Sequence, residues 1–338
     1  MIARAGGEAL LRLDGVVKHY PVRSTGLVSR SRHVVHAVDG VSLELRRGET
    51  FSIVGETGCG KTTLARCVLR LTDVTAGTIV FDGIDITNSS RGELAPVRRR
   101  MQAVFQDPYS SLNPRHRAGA IIGEPLAIHG LATGADRARR VGELMELVGL
   151  DPRHHRRFPA EFSGGQRQRI SIARALALKP DLLVCDEPVS ALDVSIRAQI
   201  LNLLADLQRE LGLTLLFISH DLAVVRHVSD RVGVMYLGRI VEVADAAALF
   251  TNPRHHYTQA LLDAVPVIDP DAADAVQREG LTGEPPSPID PPAGCRFHPR
   301  CNAVQGLCAR QVPALEPRAG DGAAHVTACH FPLERRDW

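Results

Sequence analysis

The chain has 338 residues, 44% hydrophobic and 23% charged, with a formal net charge of +2 at pH 7. That charge is too small to mark a nucleic-acid partner by itself, and no apolar run approaches the ~18 residues that cross a bilayer. The length suits about two domains, and Met1–Leu11 lacks the basic and apolar stretches of a secretory leader, so a cytoplasmic protein is expected.

Residues 10–20 and 34–54 read as short strands, with Leu43, Leu45, Phe51, Ile53 and Val54 alternating or in short buried runs. A polar loop over 22–32 separates them. The pattern then predicts a helix over 62–71, a strand over 78–82 with a turn at Asp82-Gly83, and helices over 121–128 and 137–148. A helix over 165–178, a buried strand over 182–185, a long helix over 195–211 and a strand over 213–219 follow. Residues 231–243 read as a hairpin turning at Gly238. Strands alternating with helices imply a mainly parallel sheet covered on both faces. Beyond about residue 250 the composition changes, and 284–292 is Pro-rich and extended. A domain boundary is therefore placed near 255.

Three motifs carry chemistry. Gly55-Glu56-Thr57-Gly58-Cys59-Gly60-Lys61-Thr62 matches G-x-x-x-x-G-K-[ST] between a strand and a helix. Its glycines let successive N–H groups face phosphate oxygens, Lys61 supplies a mobile charge, and Thr62 offers a hydroxyl to Mg²⁺. Only three lysines stand against 37 arginines in this chain, and one of them occupies this position. In Leu182–Glu187 four apolar residues precede two carboxylates. A buried strand would deliver Asp186 to the Mg²⁺ shell at the sheet's C-terminal edge, with Glu187 placed to polarise a water. In Phe162-Ser163-Gly164-Gly165-Gln166, Ser163 is an N-cap and the glycines expose backbone donors, making a second anion site. Two such sites on one chain suit a head-to-tail dimer, each nucleotide lying between one chain's phosphate loop and its partner's Ser163 turn.

These motifs, with Gln106, Ser190-Ala191-Leu192-Asp193 and His220, stand in the order of an ATP-binding-cassette (ABC) ATPase, over about residues 10–245. The resemblance implies a P-loop NTPase cassette fold: a mainly parallel α/β sheet with an antiparallel β subdomain and a helical subdomain at about 107–175. It implies a cassette over 1–255 and a small Cys-containing extension over 256–338. It makes Tyr20 the aromatic that stacks on adenine and Gly55–Lys61, Thr62 and Thr63 the ATP cradle. Gln106 joins Thr62 and Asp186 at Mg²⁺; Glu187, His220 and Gln106 become catalytic. Ser163, Gly164, Gly165, Gln166 and Asp193 become the residues that meet the partner's ATP.

Phe105–Arg115 resembles the Gln-containing loop of importers for di- and oligopeptides and their nickel relatives. The insert between Tyr20 and Val34 resembles the second ATPase subunit of those systems, and His255-His256-Tyr257-Thr258 resembles the His-Pro-Tyr-Thr that opens their C-terminal region. His256 departs from the proline, and Phe162 from the usual leucine. The implied function is ATP hydrolysis that powers import of di- or oligopeptides, with nickel or another small solute as the alternative. The implied partners are two permease subunits, a second ATPase subunit and, indirectly, an extracytoplasmic binding protein, at the cytoplasmic face of the inner membrane, with no nucleic acid. A soluble ABC ATPase acting on ribosomes or DNA fits less well: there is one cassette, and no coiled coil splits it. Arg98–Arg100 and Arg153–Arg157 read as solvated faces, with contact to the permeases' cytoplasmic loops or to acidic lipid headgroups as the alternative.

Four of the seven cysteines, Cys295, Cys301, Cys308 and Cys329, fall at the C-terminal end. Tight C-x₂₋₄-C pairs of structural zinc sites are absent. Four irregularly spaced thiolates suit a [4Fe–4S] cluster, and the extension resembles regions that carry one. Zn²⁺ is the alternative, with His298, His325 or His330 as substitute ligands; unligated thiols are a third reading.

Overall fold

The computed structural model describes residues 8–22, 33–107, 111–265, 283–318 and 324–334. The insert expected over 22–32 falls almost wholly outside them, as do Pro108, Tyr109 and Ser110 of the Gln106 loop. In chain order the strands are β1 (Ala9–Val22), β2 (His33–Arg46), β3 (Thr50–Val54), β4 (Ala76–Phe81), β5 (Ile84–Asp85), β6 (Met101–Val104), β7 (Leu182–Asp186), β8 (Thr214–Ile218), β9 (Arg231–Tyr236), β10 (Arg239–Asp245), β11 (Glu316–Pro317) and β12 (Val326–Thr327). The helices are α1 (Lys61–Val68), α2 (Arg91–Arg100), α3 (Ala118–Ile128), α4 (Gly134–Leu147), α5 (Gly164–Leu176), α6 (Val194–Leu211), α7 (Leu222–Val228), α8 (Ala246–Thr251) and α9 (His256–Asp263). Among the described residues no helix is long and apolar enough to cross a membrane.

The chain divides into two compact units. The first comprises 1–10, 45–50 and 88–218. In it β6, β7 and β8 run parallel, Met101 opposite Leu182 and Leu182 opposite Thr214. β7 and β8 are buried along their whole length, as parallel strands covered on both faces require. α3, α4 and α5 pack on one another, and Leu126, Ala132 and Ala177 form a small core with Leu131 and Leu144 against it. α6 buries Ile200, Leu201, Leu204 and Leu207, a helical stripe that ends at Gly212 with φ 65°. α2 was not expected from the apolar pattern, because it buries only Leu94 and Val97.

The second unit comprises 11–44, 51–87 and 219–338. One sheet has the order β2-β1-β4-β5, and β4 turns into β5 through Asp82 (φ 51°) and Gly83 (φ 77°). Elsewhere β3 lies parallel to β9, β9 and β10 form the expected hairpin, and β12 and then β11 add antiparallel to β10. The C-terminal segment is thus stitched onto this hairpin, and Ala328 N–H donates to Val241 O at 2.8 Å. Asp39 holds the same parts together: its Oδ2 accepts from Arg239 and Arg296, and its Oδ1 lies 3.1 Å from His19 Nε2.

Candidate functional site

β3 is buried along its whole length, and after Val54 the chain turns through Gly55–Gly60 into α1. Gly60 has φ 113°, and a Cβ there would stand 2.0 Å from the Ala37 carbonyl oxygen; at Gly55 it would stand 2.1 Å from that of Met235. The loop presses on neighbouring backbone where only glycine fits. Lys61 is 5% exposed. Its Nζ donates to Gly55 O at 2.6 Å and to Glu56 O at 3.0 Å, closing the loop on itself. No side chain caps the start of α1, an arrangement in which the first turn and its helix dipole can receive an anion. Thr62 is exposed and Thr63 half-buried. Burial pushes the Cys59 thiol up, with Lys61 opposing; Cys59 is packing, not a nucleophile.

His220 is exposed and lines an open cavity of about 430 Å³ together with Gly55, Glu56 and Thr57. Tyr20 is half-buried in β1, and Lys18 Nζ sits 4.9 Å from its ring centroid.

The carboxylates belong to the first unit. Asp186 is the last residue of β7 and is 6% exposed. Glu187 follows with φ 49°, its N–H donating to Ile218 O at 2.9 Å. The Ser190 hydroxyl donates to Glu187 O at 3.1 Å. A non-glycine residue in this region costs on the order of 1 kcal/mol or more and persists where surrounding structure dictates it. In the same unit Ser163 caps α5: its Oγ accepts from Gln166 N–H at 3.3 Å and its own N–H donates to Gln166 Oε1 at 3.0 Å. This capping box leaves Ser163 and Gln166 exposed and Gly164 half-buried, while Gly165 is buried. A Cβ on Gly165 would meet Ile196 Cγ2 at 2.4 Å. Gln106, just after β6, and Asp193, preceding α6, are exposed. The structure therefore brings the phosphate loop, Tyr20 and His220 into one unit, and Gln106, Ser163–Gln166, Asp186, Glu187 and Asp193 into the other.

Residues 38–190 match the family model described as ABC transporter, and 241–308 that described as oligopeptide/dipeptide transporter, C-terminal region. A probable peptide ABC transporter ATP-binding protein of Sinorhizobium fredii, y4tS, is 53% identical over 96% of this chain and 90% of its own length. The oligopeptide transport ATP-binding protein AppF of Bacillus subtilis is 52% identical over 97% of this chain and 98% of its own.

This chain belongs to the ABC transporter family. Among solved structures, the ATP-binding cassette MJ0796, in a dimeric post-hydrolysis state bound to ADP and Pi, is similar with a TM-score of 0.62 and 30% identity, over 70% of this chain and 98% of that one. The fold is the ABC cassette, and the chain is an ATPase of that family.

The ABC ATPase carries an extension whose contacts no motif announced. His255 is fully buried, and its Nδ1 accepts the Tyr257 N–H at 3.0 Å, capping α9. Burial lowers its pKa to about 4, against an opposing pull from Glu242. Glu242 is wholly buried and accepts from Arg254 N–H (2.6 Å) and His255 N–H (3.0 Å), with His325 Nε2 at 2.7 Å. His256 stands at the first position of α9, where proline suits the helix; its Nε2 lies 2.9 Å from Phe331 O. The Tyr257 hydroxyl accepts the Glu56 N–H at 2.9 Å, and its ring packs on Tyr236 and Phe297.

Cys295, Cys301, Cys308 and Cys329 line one small cavity with Phe297 and Phe331. Burial pushes up the Cys295, Cys301 and Cys329 thiols, Cys329 to about 12; backbone hydrogen bonds oppose this, from Phe297 and His298 to Cys295, Ala303 to Cys301 and Phe331 to Cys329. Four sulfurs around one cavity, three of them with backbone donors aimed at them, fit a metal centre held by thiolates. The candidate histidine ligands have other partners: His298 Nδ1 lies 2.9 Å from Cys295 O, His325 faces Glu242, and His330 Nε2 lies 2.8 Å from Gln311 O. Among the described residues, only His19, His36 and Asp39 put three ligand atoms within 4.8 Å of one another. Arg239 and Arg296 already neutralise that carboxylate, which makes the trio an ion-pair hub rather than a cation site.

Proposed function

We propose that this chain is the ATP-hydrolysing subunit of an importer for di- or oligopeptides. It would act at the cytoplasmic face of the membrane with two permease subunits and a second, non-identical ATPase. The carrying observation is the conjunction, on one chain, of the ATP-cassette motifs with the extension that matches the oligopeptide/dipeptide transporter region; relatives named for peptide transport support it. The cassette occupies 1–255 and the extension 256–338. Tyr20 stacks on adenine, Gly55–Thr63 cradle the phosphates, and Thr62, Gln106 and Asp186 hold Mg²⁺, which supplies charge stabilisation for in-line transfer of the γ-phosphoryl group to water. Glu187 takes the proton of the attacking water, and His220 contacts the γ-phosphate. Ser163, Gly164, Gly165, Gln166 and Asp193 complete the partner's site, a reading supported by the dimeric form of the similar cassette. ATP binding would close the cassette pair and product release would open it, a ligand-driven population shift.

Purification through a tag on this chain should recover two hydrophobic permeases and a second ATPase. Vesicles holding that complex, supplied with the binding protein, should accumulate a labelled tripeptide only with ATP. Uptake of nickel ion instead of peptide would establish the alternative.

We further propose that the four cysteines hold a [4Fe–4S] cluster that staples the extension. No three of their sulfurs approach within 4.8 Å of one another. One tetrahedral ion with Zn–S bonds of about 2.3 Å needs them closer than that; a four-iron cluster does not.

A further inference from the structure

Glu56 is an awkward residue for its position. It lies inside a loop whose backbone and lysine gather the negative charge of phosphates, and it shares its cavity with His220 and Thr57. An ionised carboxylate there opposes the ligand. The structure answers with a residue from far along the chain. Arg300 reaches Glu56 in a two-pronged ion pair, Nη1 to Oε2 at 2.7 Å and Nη2 to Oε1 at 3.1 Å. The Arg300 side chain is 5% exposed and that of Glu56 24%, so the pair is largely shielded from salt and water. Nη1 also donates to the Tyr236 hydroxyl at 3.4 Å. With Tyr257 taking the Glu56 N–H, this loop residue is gripped at backbone and side chain from one side. The turn that presents Arg300 is fixed in turn: His298 N–H donates to Cys295 O at 3.0 Å and Arg300 N–H to Phe297 O at 3.0 Å.

We propose that Arg300 is a positioning residue of the nucleotide site, holding the Glu56 carboxylate to one side of the phosphate loop and cancelling its charge where ATP docks. The C-terminal extension is then part of the nucleotide site of its own chain. The inference rests on reading 55–62 as the phosphate loop, and the experiment distinguishes the two.

The test is a titration of the full-length chain with a fluorescent ATP analogue, on Arg300→Gln, Glu56→Gln, the double variant, Arg300→Lys and Lys61→Ala. Arg300→Gln should weaken binding about tenfold, and more at about 0.05 M salt than at about 0.5 M. In the Glu56→Gln background the same change should cost less than about threefold, because the charge it leaves exposed is gone. Arg300→Lys, which keeps the charge but not the fork, should fall between; it carries the test if Arg300→Gln does not fold. An equal loss from Arg300→Gln in both backgrounds, or no loss in a folded variant, overturns the proposal. If Lys61→Ala binds as tightly as the unsubstituted chain, the phosphate-loop reading itself fails and takes the proposal with it.

Discussion

The Tyr257 hydroxyl accepts the backbone N–H of Glu56 at 2.9 Å across 201 positions of sequence. The tyrosine that marks the start of the oligopeptide-type extension is thereby a structural support of the phosphate loop. Tyr257 is fully buried, so Tyr257→Phe keeps the ring packing and removes only the acceptor. A buried N–H left without a partner costs about 1–3 kcal/mol, and this half-buried one should lie toward the lower end. The melting temperature should fall by about 2–6 °C and the KM for ATP should rise severalfold. Unchanged values for both would show that the bond carries no weight.

Lys61 and Glu187 should fail differently. Lys61→Ala removes the charge that ties Gly55 O and Glu56 O together, and ATP affinity should drop at least about tenfold. Glu187→Gln keeps the shape of a residue held at φ 49° but removes the base. Binding should persist while hydrolysis slows about 10²–10⁴-fold, and the nucleotide-bound chain should accumulate as a dimer. Equal loss of nucleotide binding in the two variants contradicts these separate roles.

Periodicity made most of the elements visible. β7 and β8 are continuous apolar runs, and α6 shows one buried stripe. The turn at Gly55–Gly60 before a helix, Asp186 at the end of a buried strand and the Ser163 cap were readable in place because each needs particular residue types in one short window. α2 was missed although Ser90 and Glu93 form a complete capping box at its start. That signal was present, but an exposed helix leaves little apolar pattern to confirm it. What no window could show is long-range pairing. Arg300 with Glu56, Asp39 with Arg239 and Arg296, and Glu242 under the Arg254–His255 backbone join residues 12 to 257 positions apart. The charges involved look like any other surface charges until the fold buries them.

Ser163 should matter to a neighbour more than to its own chain. Ser163→Arg places bulk and charge on an exposed turn. It should abolish ATP hydrolysis by the assembled cassette pair while leaving the nucleotide affinity of the isolated chain nearly unchanged. Ser163→Ala, which loses only the cap, should cost about 1 kcal/mol of stability. Full-rate hydrolysis by the unsubstituted chain at a dilution where sedimentation shows only monomer would refute a shared site.

Acid should loosen the extension through His255. Its folded pKa, about 4, lies below the ordinary imidazole value of 6.5 because burial disfavours the cation. The unfolded chain therefore binds the proton first as pH falls, and stability contributed by the neutral ring is lost progressively from about pH 6.5 down to about pH 4. His255→Asn retains a side-chain acceptor for the Tyr257 N–H and does not titrate. Its melting temperature should fall less steeply than that of the unsubstituted chain over this window. Parallel pH profiles would remove His255 as the source.

The four cysteines should reveal their occupant by colour and stoichiometry. Burial pushes up the thiols of Cys295, Cys301 and Cys329, the last to about 12, and a bound cationic centre would convert the sulfurs to thiolates. The backbone donors that already face Cys295, Cys301 and Cys329 would then stabilise that charge. The chain purified without oxygen should be brown, with a broad visible band and about four irons per chain. Chelation or air should bleach it and lower the melting temperature of the extension without removing ATP binding outright. Cys308→Ala should leave the protein colourless. A colourless preparation with one zinc per chain would establish a single-ion site drawn closer than the present sulfur spacing, and a metal-free chain whose extension resists proteolysis would show that no metal staples it.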